Sequence, residues 1–120
     1  MNAAELTRLM RRGDAVALAV ILCLFGLSVA VYDTLPAEMV VHYTPPGGVY
    51  YGPETLPKAV ALVVVPLIAG VTYVALRLPL LLLERWPVPD AIGPIYRAGI
   101  VAMLLLFGAV HVALILLNSA

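Results

Sequence analysis

Residues 98–117 read AGIVAMLLLFGAVHVALILL, twenty positions without a charge, placed directly after Arg97. An α-helix needs roughly 20 apolar residues, within about 17–25, to cross the hydrocarbon of a bilayer. Two further runs meet the same condition. Residues 15–32 (AVALAVILCLFGLSVAVY) lie between Asp14 and Asp33, residues 59–76 (AVALVVVPLIAGVTYVAL) lie between Lys58 and Arg77, and each holds 18 residues. Three such runs in 120 residues predict an all-α integral membrane protein with three transmembrane helices. The expected layout is a segment at 1–13 followed by one membrane domain at 14–120. Within that domain the reading places helices at 14–33, 58–83 and 95–118, with a loop at 34–57.

Composition agrees with this solvent. Hydrophobic residues make up 63% of the chain and charged residues 12%, against about 25% charged in a soluble domain. So few charges cannot cover a small globule, and the lipid bilayer is the expected partner. The formal net charge is zero, which supplies no field for nucleic acid, and no such partner is expected. The charges that exist are segregated. Arg8, Arg11 and Arg12 precede the first run, Arg77, Arg85 and Arg97 bound or lie between the second and third, and Lys58 is the only basic residue between the first and second. The positive-inside rule then places the N-terminus and the 77–97 loop in the cytoplasm, and the 34–57 loop outside, in a multi-pass protein of the plasma membrane. A cleaved signal peptide over 1–31, ending at Ser28-Val29-Ala30, is the competing reading; its apolar run exceeds the about 7–15 residues usual for such peptides.

The 34–57 segment is the only long stretch of different character. Pro36, Pro45, Pro46, Pro53 and Pro57 with Gly47, Gly48 and Gly52 exclude a long helix and predict successive turns. Tyr43, Tyr50 and Tyr51 suit headgroup depth. An ordered loop folded onto the helix ends is expected, with an extended piece near Met39 to Tyr43. On the other side, Asn2 and Glu5 have capping-box spacing and predict a short interfacial helix over 2–12. Pro66 predicts a kink in the second span, and Pro79 a bend after it. Arg77 is expected at the interface, its side chain reaching water. Gly26 and Ala30 have the spacing that lets helices approach closely.

No catalytic or cofactor signature is present. There is no HExxH, GxSxG or CxxC pattern and no phosphate-cradling glycine loop, so neither enzymatic activity nor a cofactor is expected. Cys23 lies mid-span and has no second cysteine to pair with. His42 shares the loop with Asp33, Glu38 and Glu54. It has three readings: a turn-fixing bond to loop backbone, a ligand or proton sensor, and a divalent-metal ligand, although metal-site spacing is missing and no metal is assigned. His111 falls within the third span. An ionisable residue there suggests function, and the alternative is a neutral imidazole bonded to a neighbouring helix. Lys58 at the head of a helix opposes the helix dipole and invites a compensating carboxylate such as Glu54.

The loop also resembles a known family. Leu35-Pro36 is followed after five residues by His42, Gly47 stands five further on, Tyr50-Tyr51-Gly52 follows, and Lys58 opens the second span with Pro66 inside it. This order resembles an uncharacterised bacterial and archaeal membrane domain that also forms the N-terminal part of the SdpI-like proteins, which confer immunity to a sporulation-delaying toxin. The resemblance covers roughly residues 14–75. Val40 stands where the family has a proline, and the aspartate after the glycine is missing. The immunity-type C-terminal half of the longer members is expected to be lacking. The resemblance implies sensing, signal transduction or immunity-type protection. It marks Leu35, Pro36, His42, Tyr43, Gly47 and Lys58 as candidate contacts with a ligand, or with a membrane protein or peptide partner. An accessory subunit or oligomeric component of a transporter is the alternative, motivated by His111 and Pro66, and a homo-oligomer is compatible with either. The orientation has a direct test. An impermeant thiol reagent on intact cells is expected to label Gly48→Cys and to spare Val88→Cys; the reverse pattern overturns the topology.

Overall fold

In the computed structural model the described residues are 1–42 and 54–119. Four helices occupy most of them: α1 (Ala3–Leu9), α2 (Arg11–Val31), α3 (Lys58–Leu82) and α4 (Ile92–Leu117). A 3-10 turn, Tyr32–Thr34, closes α2, and two short strands, β1 (Glu38–Val40) and β2 (Thr55–Pro57), lie between α2 and α3. Helices α2, α3 and α4 are 21, 25 and 26 residues long, and each is long and apolar enough to cross a membrane. Only 22% of each span is buried within the chain, so most of the apolar side-chain surface is left uncovered by the described residues, which is compatible with contact with a lipid bilayer. Val29, Val71, Leu105 and Leu117 are among the most exposed.

The helices pack along narrow seams. On α2 the buried residues are Ala17, Ile21, Leu24 and Ser28, at intervals of 4, 3 and 4. On α4 they include Ile100, Leu104, His111 and Ile115, which keep to the same period. Alternating intervals of 3 and 4 describe one stripe on a helix, the geometry of near-antiparallel packing at a shallow angle. Ala17, Ala61 and Ala69 are at most 1% exposed; small side chains at these points bring the backbones together, as membrane helix packing requires. Gly26 and Ala30 lie on the exposed face of α2, and a Cβ added at Gly26 would meet nothing. The close approach expected of that pair is made by the alanines of the seam instead.

The antiparallel register of α2 and α3 is constant along their length. Tyr32 meets Lys58, Ser28 meets Leu62, Ile21 faces Gly70 and Asp14 meets Arg77, so the residue numbers of each pair total 90 or 91. Polar contacts fix both ends of this pairing.

Helix bounds lie within three residues of the sequence reading, and differ by three at two starts. α2 starts at Arg11 rather than at 14, because α1 ends at Met10 and the next helix begins without a break, its Asp14 N–H donating to Met10 O at 2.8 Å. α4 starts at Ile92 rather than 95, because Pro94 occupies the first turn, where a missing N–H costs nothing. α3 continues in helical conformation through Pro66 and Pro79 to Leu82. α1 forms with both capping-box bonds, Glu5 N–H to Asn2 Oδ1 and Asn2 N–H to Glu5 Oε2, each at 2.9 Å. It is tied to the α3–α4 connection by main-chain bonds from Ala3 to Trp86 O (3.0 Å), Ala4 to Glu84 O (3.1 Å) and Val88 to Met1 O (2.8 Å). Ala3, Leu6 and Met10 are buried beneath it.

At the other end, β1 and β2 pair antiparallel with Met39 opposite Leu56, a small addition to an otherwise all-α fold. The extended piece expected over Met39–Tyr43 begins one residue earlier, at Glu38, and its far end at Tyr43 lies outside the described residues. The pleat alternates, so Met39 points inward and is fully buried while Glu38 and Val40 are exposed. Met39 and Leu35 pack on Ala61, Leu62 and Ile115 and seat the hairpin on the helix ends. Asn118 binds the outer edge of β1 as another strand would: Val40 N–H donates to its Oδ1 at 2.8 Å and its Nδ2 donates to Val40 O at 3.0 Å. Asn118→Ala is expected to leave both Val40 groups unpaired. Local opening becomes easier by about 1–2 kcal/mol, and hydrogen exchange at the Val40 amide in detergent micelles rises about tenfold. Unchanged exchange would show that the hairpin is held by apolar packing alone.

Candidate functional site

Polar groups gather at three depths along the bundle, and all three lie on the helix seams. The hairpin end holds the residues singled out from sequence. Leu35 is buried in the apolar plug under the hairpin and Pro36 is exposed beside it. Lys58 starts α3, and its Nζ donates to Tyr32 O, at the C-terminal cap of α2, at 2.9 Å while lying 4.2 Å from the centre of the Tyr32 ring. A cation at a helix C-terminus is favoured by the dipole, so the charge that opposes the head of α3 caps α2. Tyr43 and Gly47 lie outside the described residues.

His42 follows β1. The Glu54 carbonyl accepts from Val41 N–H at 2.8 Å and, more weakly, from His42 N–H at 3.5 Å. The imidazole Nε2 is buried and has no hydrogen-bond partner among the described residues. Among those residues Asp33, Glu38 and Glu54 do not gather with it into a metal-binding group. Below the hairpin a groove of about 710 Å³ runs between α3 and α4, headed by Val41, His42 and Leu56. Its walls are apolar, with Ala61, Val64 and Val65 on α3 and Val110, Ala113 and Leu117 on α4. The groove thus combines an apolar channel with, at its head, one polar atom that no described residue satisfies, a common design for binding an apolar ligand.

The middle layer joins three helices through one hydroxyl. Pro66 has no N–H, so the carbonyl of Leu62, four residues earlier, lacks its helical donor. Ser28 Oγ lies 2.9 Å from that carbonyl, 3.0 Å from Leu24 O and 2.8 Å from His111 Nε2. A serine hydroxyl has one proton. The Leu24 carbonyl already receives the Ser28 N–H within α2, so the proton goes to Leu62 O. His111 Nε2 shares a hydrogen bond with the same hydroxyl, and its Nδ1 is without a partner among the described residues. His111 is fully buried. Of its two readings, the bond to a neighbouring helix is the one the geometry contains.

The arginine-rich end holds a cluster that the sequence reading did not assemble. Arg77 Nε and Nη2 donate to the two carboxylate oxygens of Asp14 at 2.8 and 2.7 Å, and Nη1 lies 3.7 Å from Met10 Sδ. Tyr73 donates its hydroxyl to Asp14 Oδ1, and Tyr96 donates to Leu76 O nearby. Arg77 is 6% exposed; the expected reach into water is replaced by a two-pronged ion pair, because a partner of opposite charge stands at the same depth on α2. Asp14 and Arg77 each bounded an apolar run in the sequence. The available signal was their opposite charge at matching distances from the 33–58 connection.

No protein-family model matches the chain, and no curated protein or solved structure is significantly similar to it. The ion pair yields a prediction of its own. Asp14→Leu and Arg77→Leu each strand a charge and are expected to lower stability in micelles by about 3 kcal/mol, with most of the loss recovered in the double variant. Additive losses in denaturant unfolding would show that the two residues do not depend on each other.

Proposed function

We propose that the chain is a non-enzymatic plasma-membrane protein that senses or docks a membrane-active partner at its hairpin end, in a signalling or immunity-type role. The partner is an apolar peptide or membrane-protein segment lodged between α3 and α4. The observation that carries this reading is the buried Nε2 of His42, without a hydrogen-bond partner among the described residues, at the head of the apolar groove. A buried polar atom without a partner is costly in a finished core and suits a site completed by a second molecule. The resemblance of the Leu35-Pro36, His42, Gly47 and Lys58 order to the SdpI-like N-terminal domain supports the same class of role. Leu35 and Lys58 serve by holding the hairpin and the α2–α3 pairing in place, and His42 serves by contact.

The test places a photo-crosslinking residue at position 42, at Ala113 in the groove wall, or at Val71, an exposed position outside it. In native membranes positions 42 and 113 are expected to give one shared protein or peptide adduct that position 71 lacks. His42→Leu, with the crosslinker kept at 113, is expected to reduce that adduct about tenfold, the loss of one buried hydrogen bond. Lipid adducts alone, at all three positions, would overturn the reading.

A further inference from the structure

The cluster at the arginine-rich end borders a cavity of about 380 Å³ bounded by α1, α2 and α3. Its polar lining is Thr7, Arg11, Asp14, Tyr73 and Arg77. Three features of this lining remain unexplained by the fold. Arg77 has five N–H donors, and three of them are engaged, two by Asp14 and one by Met10 Sδ. The other two have no acceptor among the described residues, although the side chain is 7% exposed. Thr7 Oγ1 is buried and has no partner among the described residues, although a helical threonine ordinarily bonds a carbonyl one turn back or faces water. Arg11 is exposed and lines the cavity without a carboxylate of its own among the described residues.

These groups share one chemistry. They are donors, and the charged lining, Arg11 and Arg77 against Asp14, is positive by one. Asp14 is neutralised in place by its two bonds to Arg77, so it does not set the sign of the site. The missing component is an anion with several acceptor oxygens. Val74, Leu78 and Leu81 complete the cavity wall, and all three are exposed along one side of α3. A polar anion with an apolar extension matches both parts.

We infer that this cavity binds the phosphate of an anionic phospholipid headgroup, with Thr7, Arg11 and the free N–H groups of Arg77 as donors and an acyl chain along Val74 and Leu78. The positive-inside rule puts this end in the cytoplasmic leaflet, where anionic lipids collect and basic pockets between helices bind their headgroups. The inference is independent of the groove at the hairpin end. It makes the α1–α2–α3 junction a lipid-dependent element of the fold.

The experiment uses the full chain in neutral detergent and follows thermal unfolding during titration with three probes: short-chain phosphatidylglycerol, short-chain phosphatidylcholine and inorganic phosphate. Phosphatidylglycerol is expected to raise the midpoint at concentrations about tenfold below those phosphatidylcholine needs, and inorganic phosphate is expected to leave it unchanged. Thr7→Val with Arg11→Gln leaves the Asp14–Arg77 pair intact and is expected to abolish the difference between the two lipids. Equal shifts from both lipids would overturn the site. A phosphate shift equal to that of phosphatidylglycerol would overturn its assignment to lipid. A preference retained in the double variant would move the binding elsewhere. If that variant proves too unstable to titrate, counting lipids retained in native mass spectra of Thr7→Val alone reads the same loss.

Discussion

A carbonyl group in hydrocarbon must find a donor inside the protein, because neither lipid nor water supplies one there. Pro66 creates this demand at Leu62, halfway up the hairpin-side half of α3. Ser28 on α2 meets it, and His111 on α4 is hydrogen-bonded to the same hydroxyl. One helix-breaking residue thus specifies which faces of three helices meet, and at what height. Apolar side chains alone do not make that choice, since lipid tails are as apolar as leucine. The alternating 3 and 4 spacing of the seams, the constant α2–α3 register and the inward turn of His111 all agree with this bond. The fold is therefore specified by a few polar contacts and filled in by small residues.

The two ends use the same α2–α3 pairing for different purposes. At the hairpin end, Lys58 reaches the terminal turn of α2, and Leu35 with Met39 plugs the gap between helices. The groove beside that plug is left open between α3 and α4. At the arginine-rich end, Asp14 and Arg77 close the pairing, with Tyr73 as a third member. A charge pair in this position is weak evidence for stability, because desolvation offsets much of its attraction. Its firmer consequence is register: a slip of α3 by one residue would separate both Asp14 from Arg77 and Tyr32 from Lys58.

The number and length of the spans were legible in the sequence, because three uncharged runs separated by charge and proline leave few alternatives. The capping box at Asn2 and Glu5 was legible for a similar reason, a local pattern with a local cause. The seams were not. Where every face of a helix is apolar, periodicity loses contrast, and Ala17 and Ile21 look no different from Ala19 and Leu22. The Asp14–Arg77 pair was hidden because each residue read naturally as the boundary of an apolar run. Pro66 was read as a source of distortion; it also releases a carbonyl, and that effect becomes visible only once Ser28 is known to stand opposite. Of the motif residues, Leu35 and Lys58 have roles in holding the fold, Pro36 is exposed, and His42 has a groove beneath it.

The bonds between α1 and the far connection carry a consequence for biosynthesis. Ala3 and Ala4 are held by carbonyls of residues 86 and 84, so their partners are synthesised about 80 residues later. At roughly 5–20 residues per second, that interval is on the order of 4–16 seconds. During it the helix bearing Leu6 and Met10 has an oily side with nothing yet made to cover it. The short amphipathic stretch is therefore fastened only after α3 and the turn that follows it have been made.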